Sequence, residues 1–374
     1  MQSRKETSRP HRAGSGQELE QYDIMTIAGT RPEVIKLSEF VKHFGEENHC
    51  YVYTGQHFSL NLSDIFFSEL GSSSDINLDC RSSDVDQIAS RLDNLFRTAR
   101  PSVVVVYGDT NSTLAGAMAA KKNNITLVHI EAGLRSFDLR MPEERNRLQV
   151  DRLSDHLLCP TSLSAEFLKF EGIRRNVEVT GNLVVDVSEK FSRCRGKGSA
   201  IKLRDFILLT LHRAETVDDK DVLSLVMSEL GSIDENIVFP IHPRTKKNLD
   251  HFGISVPPNV SMIVPQGYLD FLDLLTSCKL ALTDSGGVQE EACILGKPCI
   301  TLRHTTERWE TILIGANKLY PLLQNGRGQL KDYVSEMKSK RFDRHPYGEN
   351  VTVRTVESVK KILDGQKRSS APRP

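Results

Sequence analysis

A doubly wound α/β architecture in two domains is predicted by three observations. Short apolar runs alternate with amphipathic helical stretches along all 374 residues, the pattern of parallel strands covered by helices on both faces. The rhythm restarts after a charged stretch, SRCRGKGSAIKLRD at 192–205, which reads as a linker. The length also exceeds what one hydrophobic core usually organises, so a ligand site between two domains is expected.

In the first half, strands are expected at DIMTIAG (23–29), CYVYTG (50–55), SVVVVYG (102–108), TLVHIEA (126–132), HLLCPT (156–161) and VEVTG (177–181). Amphipathic stretches at 32–44, 84–98, 111–122 and 143–154 carry apolar residues at three- and four-residue intervals and read as helices. The second series is FILLTLH (206–212), NIVFPIH (236–242), VSMIVP (260–265), KLALTDS (279–285) and PCITLR (298–303). The last amphipathic stretch, 351–365, has nothing after it to pair with and is expected to pack back on the first domain. The expected division is a tail over 1–20, a first domain over 21–191, a second over 192–350, the returning helix over 351–366 and a tail over 367–374.

Lys plus Arg and Asp plus Glu both number 49, so the formal net charge is zero, and nucleic acid and acidic membrane surfaces lose support as partners. The seven cysteines are scattered, with no CxxC pair or Cys/His spacing for a metal cage or disulfide framework. The polar start lacks the apolar core of a signal peptide, and no later apolar run reaches membrane-spanning length. A reduced, cytoplasmic setting is expected, with neither metal nor cofactor.

In doubly wound sheets, ligands bind beyond the carboxyl ends of the strands. After the first strand, GTRPEVIK (29–36) offers a tight turn at Gly29, a phosphate-forking Arg31, Pro32 at a helix start and Lys36 one turn on. Asp109 follows the third strand, Glu131 the fourth, and Glu143 and Glu144 open a helix, so several carboxyls converge on one mouth. Asp109 has an alternative as the cap of helix 111–122, and Glu143 as the cap of helix 143–154, whereas Glu131 has no evident capping duty. In the second half His212 and His242 end equivalent strands, both beside arginines. In TDSGGVQEEA (283–292), Ser285, Gly286 and Gly287 open a helix whose amides suit a phosphate. Glu290 and Glu291 are expected to accept sugar hydroxyls such as a ribose diol, and Arg303 and HTTER (304–308) extend the polar rim.

Taken together, GTRPEVIK, TGQH (54–57), YGDTNST (107–113), HIEAGLRS (129–136), MPEERNR (141–147), TGN (180–182), TLHRAE (210–215), IHPR, TDSGGVQEEA, GKPC (296–299) and TTER resemble the non-hydrolysing UDP-N-acetylglucosamine 2-epimerase family, from about residue 24 to 365. The resemblance implies a glycosyltransferase-B-like pair of Rossmann-like domains facing a cleft, a UDP-sugar substrate and a homodimer. It implies that Asp109, Glu131 and Glu143 surround the sugar, with His212 as the matching histidine. Arg31, His212, Ser285, Gly286 and Glu291 match UDP-holding positions, and Lys36 a basic cleft residue. Arg135, Gly287 and Arg308, within the same motifs, complete the substrate-binding set. Gln56, His57 and His242 fall in motifs associated with a second, regulatory UDP-sugar site in some members.

Two departures stand out. The family's TERPE is TERWE here, with Trp309 in place of proline, and 78–92 lacks a glycine-containing segment often found before its helix. The implied activity is inversion at carbon 2 of UDP-N-acetylglucosamine, with UDP-2,3-diacetamido-glucuronic acid as the alternative substrate. A glycosyltransferase of the same fold, a hydrolysing epimerase and a catalytically silent UDP-sugar sensor are the competing readings. Intact Asp109, Glu131, Glu143 and His212 argue against the sensor.

Overall fold

The computed structural model of the protein describes residues 21–44, 48–56, 71–193, 205–322, 329–342 and 344–370. Both expected tails fall partly or wholly outside these residues, as does most of the expected linker.

The first sheet contains β1 (Ile24–Ala28), β2 (His49–Tyr53), β3 (Ile76–Asn77), β4 (Val103–Tyr107), β5 (Thr126–Ile130), β6 (His156–Cys159) and β7 (Val177–Val179). They lie in the order β3-β2-β1-β4-β5-β6-β7, all parallel. The second contains β8 (Ile207–Thr210), β9 (Ile237–Pro240), β10 (Val260–Ile263), β11 (Leu280–Thr283), β12 (Cys299–Thr301) and β13 (Asn317–Leu319), in the order β10-β9-β8-β11-β12-β13 and again all parallel. The continuous apolar runs of β1 and β4 are buried throughout, which requires helices on both faces. Strands β3 and β13, of two and three residues, were not expected from the sequence because such short edge strands carry too little periodicity.

Strand order reverses between β1 and β4 in one sheet and between β8 and β11 in the other. A crevice forms where connections leave a sheet in opposite directions. These two points bring Gly29–Arg31 beside Gly108–Thr110, and Leu211–Arg213 beside Asp284–Gly286. Gly29 must be glycine here, since a Cβ would stand 1.9 Å from Ser112 Oγ.

Helix starts sharpen the picture. Thr110, not Asp109, caps the helix Asn111–Lys122, accepting from Thr113 N, so Asp109 is released from that duty. The helix Pro142–Leu153 begins with Pro142 behind a Met141 cap that makes no side-chain bond, leaving Glu143 in the first turn. Ahead of the helix Arg31–Lys42, Glu33 accepts from Gly29 N and Thr30 N at 2.8 and 2.7 Å.

The closing helix, Val351–Ser370, lies against the first sheet's unit. Its Val351, Val356, Val359 and Leu363 join the core built on β1 and β4. Thr352 N donates to Asp186 (2.6 Å), Ser358 to Glu178 (2.8 Å) and Lys367 to Asp23 (2.8 Å). Residues 367–370, expected as tail, are therefore helical, with Lys367 anchoring that last turn to the start of β1.

Candidate active site

Four charged side chains form a closed ring between the two sheets. Lys36 donates to Glu131 at 2.9 Å and to Glu290 at 2.8 Å. Arg308 donates to Glu131 at 2.8 Å, and its Nε lies 2.9 Å from Glu290. Lys36 and Glu131 come from the first sheet, Glu290 and Arg308 from the second, and all four are buried. Asn182 and Tyr107 add hydrogen bonds to Glu290 and Glu131 respectively. Burial alone would raise the Glu131 carboxyl, but Arg308, Lys36 and the Tyr107 hydroxyl hold it well below the usual range. Burial alone would likewise lower Lys36, yet Glu131 and Glu290 keep its ammonium above its ordinary value.

Glu131 also holds a left-handed backbone at φ 71°, while its N–H donates to Leu158 O at 3.0 Å. Such a conformation costs a non-glycine residue of the order of 1 kcal/mol and persists where surrounding contacts over-determine it.

A second group of charges extends along the cleft. Arg147 bridges Asp109 and Glu144. Arg213, beyond β8, lies 3.7 Å from Glu143 and 3.9 Å from Glu307. Glu307 is buried, yet the guanidinium groups of Arg303, Arg213 and Arg147 hold it well below the carboxylate range. Glu144 accepts from Ser136 N, Ser136 Oγ and Phe137 N at 2.8–2.9 Å, fixing the loop that leads to Glu143. The first sheet thus presents Asp109, Glu131 and Glu143 at one mouth, facing guanidiniums of the second.

On the opposite wall, buried Asp284 accepts from His212 N (2.9 Å) and Arg213 N (2.8 Å), and its Oδ1 lies 3.3 Å from His212 Nδ1. The His212 ring is partly open to the cleft and lies 5.8 Å from that of His242. Ser285 precedes the helix Gly286–Ile294 and makes no side-chain cap bond. A Cβ at Gly286 would come within 2.1 Å of Glu307 Oε1, so any larger residue there would displace that carboxylate. The amide end of this helix favours an anion. Glu291, deeper in the helix, is pushed up to about 7, chiefly by burial, despite the Lys36 charge and the nearby Tyr268 hydroxyl. Arg31 lies close enough for its charge to bear on Glu291 and Tyr268.

Glu290, expected at a ribose diol beside Glu291, is committed to Lys36 and Arg308. Arg135, expected at the substrate, is 1% exposed and held by Asp151 (2.7 Å) and Glu171 (2.6 Å), inside the first sheet's unit. Its guanidinium fastens the segment after β5 to neighbouring helices. Gln56 accepts from Ser112 N and Oγ at 3.1 and 2.8 Å, and His242 accepts from Arg244 N at 3.2 Å as a helix cap. His57 lies outside the described residues. Tyr107, Arg147, Asn182, Arg213, Asp284 and Glu307 were not singled out from sequence, although each falls within or next to a quoted motif.

With this geometry in place, comparisons with known proteins are informative. The family signature of UDP-N-acetylglucosamine 2-epimerase matches residues 42–361. The UDP-N-acetylglucosamine 2-epimerase of Methanocaldococcus jannaschii is 40% identical over 364 residues, covering 91% of this chain and 98% of the relative. The UDP-2,3-diacetamido-2,3-dideoxy-D-glucuronate 2-epimerase of Pseudomonas aeruginosa is 42% identical over 311 residues, covering 79% and 87%. A crystal structure of the Methanocaldococcus jannaschii enzyme in complex with UDP-GlcNAc and UDP superposes with a TM-score of 0.82 at 39% identity, covering 91% of this chain and 99% of that one. The chain therefore belongs to the UDP-N-acetylglucosamine 2-epimerase family.

Proposed function

We propose that this protein inverts carbon 2 of UDP-N-acetylglucosamine without hydrolysing it, in a cleft between a first domain over 21–191 and a second over 192–350. The observation that carries this reading is the opposition of Asp109, Glu131 and Glu143 on one wall to the Ser285–Gly287 helix start and the guanidiniums of Arg213 and Arg308 on the other.

The carbon 2 proton of such a sugar is not acidic, since no adjacent carbonyl stabilises a carbanion. Cleavage of the carbon 1–oxygen bond sends its electron pair to the β-phosphate of UDP and places positive charge beside carbon 2. A carboxylate then removes the proton, and the C–H electron pair forms the carbon 1–carbon 2 double bond of a 2-acetamidoglucal. Return of a proton to the opposite face and recapture of carbon 1 by the UDP oxygen yield the epimer. Two faces need two proton-handling groups, which suits several carboxyls in one mouth. Arg31, His212 and the amides at Gly286 and Gly287 stabilise the departing diphosphate, and Glu291 accepts from the ribose. Lys36 and Arg308 hold Glu131 ionised until substrate arrives. A closed cleft keeps water from the intermediate.

UDP-2,3-diacetamido-2,3-dideoxy-D-glucuronate is the second substrate to test, because the Pseudomonas aeruginosa relative is 42% identical. A cytoplasmic homodimer completes the proposal, with light scattering of the purified protein as the check on its mass. The deciding experiment incubates the protein with UDP-N-acetylglucosamine in deuterated water and follows the sugar by NMR. Deuterium at carbon 2 of both UDP-linked epimers is expected. Free N-acetylmannosamine would instead mean hydrolysis, and an absence of exchange would remove this substrate.

A further inference from the structure

The segment after β12 reaches across the cleft at two points that involve no charged group. Thr305 Oγ1 donates to Ser136 O at 2.6 Å, and Trp309 Nε1 donates to Arg135 O at 2.9 Å. Both acceptors are backbone carbonyls in the loop joining Glu131 to Glu143. That loop is itself stiffened by Arg135 against Asp151 and Glu171, and by Glu144 against Ser136 and Phe137.

Arg303 also reaches the Met141 sulfur of that loop at 3.3 Å, and two further cross-cleft contacts are of a different kind. Arg308 with Glu131, and Arg213 with Glu143, occupy carboxylates that a sugar must reach, so substrate entry competes with them. The two carbonyl contacts compete with nothing. They can persist over a loaded cleft, and they sit within five residues of Glu131 and within eight of Glu143 along the rigid loop.

From this geometry we infer that Trp309 and Thr305 are positioning residues, forming a two-point clasp that holds the loop between Glu131 and Glu143 against the second sheet's unit while the intermediate exists. The inference rests on the epimerase reading for its catalytic consequence, though not for the clasp itself. Each bond acts by keeping the carboxylates over the sugar and the glycal enclosed until UDP recaptures it. Where the family pattern has proline at this position, the side chain could supply no N–H donor, so the tryptophan adds a contact that such a proline could not make.

The test compares the wild type with Trp309→Phe, Thr305→Val and the double variant, using UDP-N-acetylglucosamine and scoring free UDP and 2-acetamidoglucal against epimer formed. Each single variant should raise release per epimerisation about fivefold, the factor that one net hydrogen bond represents, with the factors multiplying in the double variant. Thr305→Ser, which keeps the hydroxyl, should restore the wild-type ratio. An unchanged ratio in the double variant overturns the inference, as does a lowered Tm with the ratio intact, which would leave only a packing role.

A second readout needs no turnover. Trp309 is the chain's single tryptophan, so intrinsic emission reports on the clasp alone. In UDP-loaded protein, Thr305→Val should increase acrylamide quenching of that emission, and unchanged quenching overturns the clasp. If the wild type exchanges no deuterium at carbon 2, the epimerase reading fails while the quenching measurement still decides this one.

Discussion

Two buried carboxyl groups close to Arg308 behave in opposite ways. Glu131, in the cleft, is drawn down because Arg308 and Lys36 outweigh the cost of burial. Glu310, on the short helix Trp309–Leu313, is pushed up to about 7 because burial outweighs the Arg308 charge and a 2.9 Å hydrogen bond from the Tyr347 hydroxyl. Depth does not distinguish them. The direct partners do: two cations and a phenol touch Glu131, whereas a neutral phenol touches Glu310, and Glu290, which shares those two cations, is still raised by burial and by the Glu131 charge. One region keeps its carboxylate ionised, and the other holds a group that ionises near neutrality.

The largest effect expected from breaking this contrast is on turnover. Glu131→Gln removes the carboxylate while keeping its shape, and exchange at carbon 2 should fall about a thousandfold with UDP affinity retained. Activity surviving in this variant would dismiss Glu131 as a proton-handling group.

Next in size is Lys36→Met, which leaves Glu131 and Glu290 facing Arg308 alone. Breaking a buried pair from one side costs roughly 3–5 kcal/mol, visible as a lower urea midpoint at unchanged m. A midpoint equal to wild type would mean that the ring contributes nothing to closure of the fold.

Glu310→Gln sharpens the comparison through pH. A carboxyl whose value rises from 4.5 to about 7 on folding carries no penalty below about pH 4.5, an increasing one up to 7 and a full one above, of the order of 3 kcal/mol. The variant should therefore be more stable than wild type at pH 8, and the gain should vanish by pH 4.5. Thermal denaturation at the two pH values checks this, and an equal gain at both would place the cause elsewhere than ionisation. Tyr347→Phe is the smallest change. Loss of its hydroxyl should cost about 1 kcal/mol at pH 8 and push Glu310 higher still. The titration of Glu310, followed by carboxyl-carbon NMR in both proteins, reads this directly.

Much of this architecture was legible along the chain. Strands β1, β4, β5 and β8 appear within one to two residues of their expected ends because buried parallel strands are continuous apolar runs. Asp109, Glu131, Glu143, His212 and Ser285 sit at strand ends or helix starts, where a doubly wound sheet gathers polar residues. The placements that the sequence did not convey have physical causes. Glu290 and Glu291 are adjacent on one helix, and their sequence context does not tell which will meet a cation. Arg135 stands in a motif rich in site residues, but the turn after β5 directs its side chain to Asp151 and Glu171. Gln56 stands near the end of β2, where its side-chain oxygen accepts from Ser112.

What the sequence by itself determined was local: periodicity set the strands and helices, and the glycine, proline and acidic residues at their ends marked where chemistry would collect. Which charges meet was decided only by tertiary structure. Lys36 finds Glu131 across 95 residues and Glu290 across 254, while Arg308 finds Glu131 across 177. Coulomb attraction depends on separation in space and on the water excluded around the pair, and neither exists until two sheets, each folded from its own half of the chain, close on one another.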